Sequence, residues 1–263
     1  MIYFVLPVFN EAENIGELVK GLRLIMKDID YRIIAVNDGS TDDSLAILKK
    51  LKKAKDDITI ENFIINMNIG AVFSTAIDSA LKQSDSDDDV LVVLESDQTS
   101  ELNLISSLIK EIQEKGNDVA VASRYAPGGG YRNFPMHRRV YSFCANFFLR
   151  MVFPIGSKVR DYTIFLRAYK MSVFYPLVEH FSIFGIFQTQ GFIANSELLI
   201  KISMFSKKIS EIPFVYDYGK KVGKSKMRII GTINEYFVFT RYMRQIIEKS
   251  KSLRAGIDAE RSD

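Results

Sequence analysis

Residues 31–53, YRIIAVNDGSTDDSLAILKKLKK, decide the fold because they change from a strand pattern to a helix pattern within a few residues. Residues 31–37 are mostly apolar with adjacent β-branched side chains, which indicates a strand. The next side chains, Ser40, Thr41 and Asp42, are candidate helix N-caps. Residues 42–53 then place apolar side chains at helical spacing. The stretch is therefore one strand–turn–helix unit.

The same alternation fills the first 122 residues. Strands are predicted at 2–8, 31–37, 58–65, 90–95 and 118–123, and helices at 11–27, 42–53, 70–82 and 101–115. Short strands that alternate with helices indicate βαβ units and a parallel sheet. We therefore expect an α/β fold with a doubly wound, mostly parallel sheet flanked by helices.

The pattern changes after Arg124. Helices are predicted at 138–152, 196–205 and 229–250, and strands at 161–170 and 209–216. We expect one domain built from two halves, residues 1–124 and 125–250, followed by a polar, flexible tail at 251–263.

The net charge of +3 hides two oppositely charged parts. Residues 1–122 carry 12 basic and 22 acidic side chains, a net charge of −10, and residues 123–263 carry 23 basic and 10 acidic ones, a net charge of +13. A basic region of this kind indicates a partner with phosphate groups. Because the basic residues form no recognisable nucleic-acid reader and the acidic part would repel a phosphate backbone, we expect no nucleic acid.

Composition excludes several other classes. One cysteine and two histidines are too few for a disulfide framework or a structural zinc site, and they suit a reducing, cytosolic compartment. The single cysteine, Cys144, lies on the apolar face of a predicted helix and is expected in the core. Polar residues interrupt every apolar stretch well short of the about 18–20 residues that cross a bilayer. We therefore expect no membrane-spanning segment and no signal peptide.

Polar and acidic residues follow three of the predicted strands. The first strand ends in Pro7–Glu11, the second in Asn37–Ser40 and the fourth in Glu95-Ser96-Asp97. In a doubly wound sheet, ligands bind at the carboxyl ends of the strands. The first of these turns has no G-x-G-x-x-G pattern, which argues against a dinucleotide such as NAD.

Glu95 and Asp97 form an acid-x-acid triplet directly after the apolar run 90–94. Alternate residues of an extended chain point the same way, so both carboxylates can face one cation. Hard oxygen ligands suit Mg²⁺ or Mn²⁺ bound together with the phosphates of a substrate. Solvation of a strand end is the alternative explanation of the two acids.

The order of short motifs along the chain resembles that of glycosyltransferase family 2. The motifs are LPVFNE, VNDGSTD, the acid-x-acid triplet, ASRY, GGG, RR, RAY and GKSKM, over about residues 1–245. Within that family, the chain is most similar to the dolichyl- or polyprenyl-phosphate mannosyltransferases and their glucosyl relatives. The resemblance implies a GT-A fold in which residues 1–124 bind a nucleotide-sugar.

The resemblance also assigns the donor site. Its implied nucleotide-sugar ligands are Pro7, Phe9, Glu11, Asp38, Ser40, Glu95 and Asp97. Glu95 and Asp97 match the two acids of the family's metal motif, so the implied cofactor is Mg²⁺ or Mn²⁺. The chain departs from the family at Glu95, where relatives carry aspartate, and at Phe165, where relatives more often carry glycine. The extra methylene of Glu95 shifts its oxygens by about 1.5 Å, and Phe165 is expected to narrow the acceptor site.

The same resemblance implies a role for the basic residues of the C-terminal half. A lipid phosphate is itself an anionic nucleophile, so it needs positioning and charge neutralisation rather than a strong general base. The implied residues for the acceptor phosphate are Arg138, Arg167, Lys224 and Lys226, and Arg124, Arg167 and Asp97 are the implied catalytic residues. Direct displacement by the phosphate predicts inversion at the sugar C1.

Two aromatic stripes predict contact with a membrane surface. One is Val140, Phe143, Phe147, Phe148 and Met151; the other is Tyr236, Phe237, Phe239, Tyr242 and Met243. Because arginines flank both stripes, an interfacial helix on an anionic membrane is expected, on the cytosolic face. The alternative is that both stripes belong to the core. A membrane-embedded partner is also compatible with the sequence.

Two other functions stay open from the sequence. One is a family 2 enzyme that glycosylates a different acceptor, such as a lipid-linked oligosaccharide or a glycan. The other is a weakly catalytic nucleotide-sugar-binding protein. The nucleotide and the sugar are left open among GDP-mannose, UDP-glucose and UDP-N-acetylhexosamines.

Overall fold

The computed structural model of the chain describes residues 1–97, 99, 101–156, 159–189, 191–220 and 235–247. The chain divides into two compact units, Met1–Ser225 and Lys226–Asp263. The first unit contains the sheets and seven of the helices below, and the described part of the second is a helix at 235–247.

Nine strands form two sheets in the described part of the first unit. The strands are β1 (Ile2–Val8), β2 (Tyr31–Asp38), β3 (Ile58–Phe63), β4 (Val90–Val93), β5 (Val119–Ser123), β6 (Gly130–Arg132), β7 (Arg167–Lys170), β8 (Ile209–Pro213) and β9 (Val215–Asp217). The larger sheet has the order β3-β2-β1-β4-β7-β5-β8, and β6 pairs with β9 in the smaller one. Strand β7 alone among the described strands runs antiparallel to its neighbours, β4 and β5.

The described residues form eight α-helices, seven in the first unit and one in the second. They are α1 (Ile15–Ile25), α2 (Ser44–Ala54), α3 (Asn68–Gln83), α4 (Ile105–Gln113), α5 (Met136–Val152), α6 (Phe174–Phe181), α7 (Ile193–Ile202) and α8 (235–247). Short 3-10 turns lie at Leu102–Leu104, Met171–Val173, Ile183–Gly185 and Tyr218–Lys220.

The core lies on both faces of the central strands. Strands β4 and β5 are buried at every residue, and β1 at every residue except Pro7. A parallel sheet with helices on both faces needs such continuous apolar strands. The prediction of a doubly wound, mostly parallel α/β sheet is confirmed.

The C-terminal half differs from its prediction in four places. The predicted strand 161–170 is a strand only over Arg167–Lys170. The residues before it form a loop, because the Asp161 side chain accepts the backbone N–H groups of Thr163 and Ile164. The predicted strand 209–216 is divided between β8 and β9, which belong to different sheets. Helix α6 and strand β6 were not predicted.

Gly39 makes the turn after β2 possible. Its φ angle is +66°, and a Cβ atom there would lie 2.4 Å from the backbone carbon of Ile65. A left-handed conformation costs an alanine about 1–2 kcal/mol, and the overlap adds about 1–3 kcal/mol. We therefore expect Gly39→Ala to lower the free energy of unfolding by at least about 2 kcal/mol in urea titrations.

Gly16→Ala is the matched control for that variant. No atom lies within 4 Å of the added Cβ in α1, and alanine has the higher helix propensity by about 1 kcal/mol. Gly16→Ala should therefore leave the protein equally or more stable. Equal stability of the two variants would contradict the role assigned to the turn.

Candidate functional site

Hydrogen bonds join the three polar turns at the carboxyl edge of the sheet. The Ser96 hydroxyl donates to the carbonyl oxygen of Pro7 at 2.8 Å. The Asn10 N–H donates to the Ser40 hydroxyl at 3.0 Å. The turns after β1, β2 and β4 therefore form one continuous surface, as the parallel topology requires.

The turn after β1 is shaped by polar side chains. Asn10 has a φ angle of +51°, and its side-chain oxygen accepts the Thr41 N–H at 2.8 Å. The Glu11 N–H donates to the Ser44 hydroxyl at 2.8 Å. Of the predicted donor ligands, Pro7, Phe9, Glu11 and Ser40 are all half-buried at this surface.

Asp38 lies at the end of β2 and is only 5% exposed. Its Oδ1 accepts the Met67 N–H at 2.6 Å, just before α3. Burial raises the pKa of Asp38, although the backbone donors of Met67 and Asn68 act in the opposite direction. Asp38 thus ties the turn after β2 to the start of α3.

Glu95 and Asp97 converge on one hydroxyl group. Thr99 Oγ1 lies 2.5 Å from Asp97 Oδ1 and 3.1 Å from Glu95 Oε2. The Thr99 N–H also donates to Asp97 Oδ1 at 3.2 Å. The sequence prediction that the two carboxylates face the same point agrees with this arrangement.

A divalent cation fits the chemistry of this donor set. Two carboxylates that converge within hydrogen-bond reach of one atom are hard oxygen ligands, the type that Mg²⁺ and Mn²⁺ prefer. Within the described residues, no group of three or more His, Cys, Asp or Glu side chains could hold a metal. Two acids leave coordination positions for the phosphates of a substrate.

Tyr216 on β9 adjoins the same acids and was not singled out in the sequence. Burial raises the pKa of its phenol, and the negative charges of Glu95 and Asp97 raise it further. Phe134 packs on Tyr216, Tyr131 and Tyr218, with ring centroids 5.5, 4.8 and 5.3 Å apart. In the sequence, the tyrosines at alternate positions 216 and 218 were the signal from which this residue could have been found.

Arg124 follows β5, as predicted, and forms a buried ion pair. Its Nε and Nη2 donate to the two oxygens of Asp161 at 2.8 and 2.7 Å, and Nη2 also donates to Thr163 Oγ1 at 2.6 Å. Burial lowers the pKa of Arg124, but Asp161 outweighs burial, so the net shift is upward. The guanidinium is thus held by protein groups.

Arg167 is fully buried in β7. Its Nη1 donates to the carbonyl oxygen of Asn195 at 2.6 Å, and its Nη2 donates to that of Tyr162 at 2.7 Å. A ligand does not reach the guanidinium in this arrangement. Its contacts instead tie β7 to the start of α7.

The remaining predicted cations differ in where they lie. Arg138 is half-buried at the start of α5, with its guanidinium 5.4 Å from the Tyr218 ring. The next residue, Arg139, which is not among the predicted site residues, stacks in the same way on Tyr131 at 5.8 Å. Lys224 and Lys226 lie outside the described residues.

Phe165 is buried between aromatic rings. Its centroid is 5.9 Å from the ring of Phe73 in α3 and 5.9 Å from that of Phe192. Phe73 in turn lies 5.7 Å from Phe187. Phe165 therefore links α3 to the segment that precedes α7.

Helix α5 presents the first predicted aromatic stripe largely to solvent. Val140, Phe143, Phe147 and Met151 are 52–69% exposed, and Phe148 is half-buried. Cys144 is exposed on the same helix, so the expectation that it belongs to the core is wrong. The stripe faces away from the sheet.

The second predicted stripe is divided in α8. Phe237 is exposed, whereas Phe239 and Met243 are buried. Among the helices of the described ranges, none is long and apolar enough to cross a membrane.

Comparison with known proteins identifies a family match over most of the chain. The model of "Glycosyl transferase family 2" matches residues 3–177. Polyprenol monophosphomannose synthase of Mycolicibacterium smegmatis is 27% identical over 224 residues, 85% of this chain and 79% of that protein. Dolichol-phosphate mannosyltransferase of Pyrococcus furiosus is 28% identical over 224 residues, 85% of this chain and 58% of that protein.

A solved structure shows the same fold. Glucosyl-3-phosphoglycerate synthase from Mycobacterium tuberculosis, in complex with Mn²⁺, UDP and glucosyl-3-phosphoglycerate, superposes with a TM-score of 0.62 at 15% identity. The match covers 92% of this chain and 76% of that one. The fold is therefore that of the GT-A glycosyltransferases.

The Arg124–Asp161 pair gives a test of the site's stability. Burial alone would raise the pKa of Asp161, but Arg124 outweighs burial and holds the pKa below its usual value. Asp161→Asn should lower the unfolding free energy by about 3–5 kcal/mol at neutral pH, since it leaves a buried charge unpaired. The contribution of Asp161 is present above about pH 4 and is lost as the pH falls through the folded pKa.

Urea titrations at about pH 7 and about pH 3.5 measure both the loss of unfolding free energy and its dependence on pH. The unfolding free energy should change less between the two pH values in Asp161→Asn than in the wild type. Asp78→Asn, which removes the exposed pair with Lys82, is the control and should cost at most about 0.5 kcal/mol. Equal losses for the two variants would contradict the buried pairing.

Proposed function

Because the chain belongs to glycosyl transferase family 2, we propose that this glycosyltransferase moves a hexose from a nucleotide-sugar to a polyprenyl (dolichyl) phosphate. The acid pair Glu95–Asp97 at the carboxyl edge of the sheet carries the proposal. The names of the two relatives, a polyprenol monophosphomannose synthase and a dolichol-phosphate mannosyltransferase, support this acceptor class.

The donor binds across the joined turns in this proposal. Pro7, Phe9, Glu11, Asp38 and Ser40 contact the nucleoside. Glu95 and Asp97 would hold Mg²⁺ or Mn²⁺. The cation would stabilise negative charge on the departing nucleoside diphosphate.

The acceptor phosphate is the nucleophile. One of its oxygens forms a bond to the sugar C1 while the bond from C1 to the diphosphate oxygen breaks, and the nucleoside diphosphate leaves with the electron pair. Because a phosphate monoester is ionised near neutral pH, the step needs no strong general base. Attack from the face opposite the leaving group inverts the configuration at C1.

Arg138 contacts the acceptor phosphate in this proposal, together with Lys224 and Lys226. Its half-buried position at the start of α5 supports a direct contact. The predicted catalytic roles of Arg124 and Arg167 become positioning roles, because Asp161 and backbone carbonyls already hold their guanidinium groups.

The exposed face of α5 contacts an anionic membrane at the cytosolic side. Apolar side chains on this face, with Arg138, Arg139 and Arg150 on the same helix, match an interfacial helix. A membrane-embedded partner is compatible with this arrangement. The single cysteine of the chain suits the cytosol.

Transfer is tested with labelled GDP-mannose, UDP-glucose and UDP-N-acetylhexosamines, Mg²⁺ or Mn²⁺, and a polyprenyl phosphate. One donor should yield lipid-linked sugar. If no donor does so while a lipid-linked oligosaccharide or glycan is glycosylated, the acceptor proposed here is contradicted. Binding of a nucleotide-sugar without transfer to any acceptor would favour a binding protein.

Asp97→Asn should lower kcat at least about 100-fold with the productive donor, equivalent to about 2.7 kcal/mol, because it removes a charged ligand without changing shape. Calorimetry should show Mn²⁺ binding weakened in parallel. Asp88→Asn, at the amino end of β4 with a side chain 83% exposed, is the control and should keep normal kcat. Full activity of Asp97→Asn would exclude the metal assignment.

Removal of two exposed rings tests membrane contact. Phe143→Ser/Phe147→Ser should weaken binding to acidic liposomes at least tenfold, because each buried phenylalanine contributes about 1.5–3 kcal/mol. Leu24→Ser removes an apolar side chain that is 75% exposed on α1 and should leave flotation unchanged. Unchanged flotation of the double variant at moderate salt would contradict the interfacial role of α5.

A further inference from the structure

Helix α7 contains a fully buried ion pair that no step of the proposed reaction uses. Glu197 and Lys201 are both 0% exposed, and Lys201 Nζ lies 2.7 Å from Glu197 Oε1. Lys201 also donates to the carbonyl oxygen of Ile186 at 2.5 Å. A buried pair is a weak source of stability, because desolvation offsets the attraction between the charges. Its contacts therefore decide what it does.

Four hydrogen bonds from the pair go to one short segment, residues 186–189, which we call the wall segment. Glu197 accepts the backbone N–H groups of Gln188 and Thr189 at 3.1 Å. It also accepts the Thr189 hydroxyl at 2.7 Å. Together with the bond from Lys201 to Ile186, the ion pair fixes the segment at both ends.

The opposite side of the wall segment rests on the start of α3. A Cβ atom at Gly70 would lie 2.6 Å from the carbonyl oxygen of Thr189 and 3.1 Å from the Cβ of Phe187. This close approach requires glycine. Three residues before Gly70, the Met67 N–H is bound to Asp38, a nucleoside ligand of the proposed donor site.

Helix α7 connects the wall segment to the acid pair as well. Asn195, two residues before Glu197, accepts a hydrogen bond from Arg167. Arg167 pairs in the sheet with Val93, two residues before Glu95. The wall segment is therefore linked to Asp38 through the start of α3, and to the strand before the acid pair through α7 and β7.

We propose that the Glu197–Lys201 pair holds the wall segment as a fixed side of the donor pocket, against which the transferred sugar is oriented. Glu197 and Lys201 are positioning residues, since neither reaches solvent. The inference rests on the proposed donor site but not on the proposed acceptor. It predicts that loosening the wall segment weakens recognition of the sugar and spares recognition of the nucleoside diphosphate.

The test compares Glu197→Gln/Lys201→Met with the wild type by calorimetry in Mn²⁺. The probes are UDP, UDP-glucose, GDP and GDP-mannose. Glutamine keeps an acceptor oxygen, and methionine fills the volume of the lysine stem, so no buried charge is left alone. Affinity for the better nucleoside diphosphate should stay within about twofold, and affinity for its nucleotide-sugar should fall at least about tenfold. Equal losses for both probes, or no loss for either, would overturn the proposal.

Asp88→Asn/Lys170→Met is the matched control, because it removes an ion pair at the amino edge of the sheet. It should change neither affinity. Gly70→Ala displaces the wall segment from its other side without touching the pair, and it must show the same separation of the two affinities. If the pair variant does not fold, Gly70→Ala alone tests the role of the wall segment. Equal changes of the two affinities in Gly70→Ala would overturn the proposal.

The test of the proposed acceptor is independent of these affinity measurements. A wild-type protein that binds a nucleotide-sugar but forms no lipid-linked sugar contradicts the proposed acceptor, and the affinity ratios then still decide the role of the wall segment. A wild-type protein that binds no nucleotide-sugar contradicts both proposals.

Discussion

The buried ion pair between Arg124 and Asp161 holds the carboxyl edge of the sheet together. Strand β7 enters the sheet antiparallel between β4 and β5, so the loop before it must be anchored at the same edge as the end of β5. Asp161 provides that anchor by accepting both side-chain and backbone donors of Arg124. Glu211 supports it by accepting the Asp161 N–H at 2.7 Å. Total stabilities are about 5–15 kcal/mol, so a pair of this kind affects the whole site.

The opposite net charges of the two halves of the chain affect its structure as well as its function. The basic half does not simply offer its arginines to a phosphate, since Arg124 and Arg167 are committed to internal contacts. Arg138 and Arg139 instead stack on Tyr218 and Tyr131. Phe134 packs on both of these tyrosines and on Tyr216, which adjoins the acid pair, so aromatic rings connect the two arginines with the acids.

The sequence predicts the elements better than the roles of single residues. The strands at 2–8, 31–37 and 118–123 are encoded locally, because each is a mostly apolar run bordered by turn residues, and the structure has them within a residue of the prediction. The roles of Arg124 and Arg167 depend instead on distant partners: Asp161 lies 37 residues from Arg124 along the chain, and Asn195 lies 28 residues from Arg167. Likewise, the exposed position of Cys144 depends on which face of α5 packs against the rest of the protein, and helical spacing alone does not decide that. The wall segment shows no motif at all, since its geometry comes from a buried pair in the following helix.

The anomeric configuration of the product tests the central claim most directly. The enzyme is supplied with a nucleotide-sugar of known configuration and a polyprenyl phosphate, and the lipid-linked sugar is examined by NMR. Direct attack by the acceptor phosphate predicts that the configuration at C1 is inverted in every product molecule. A product with retained configuration would contradict the mechanism.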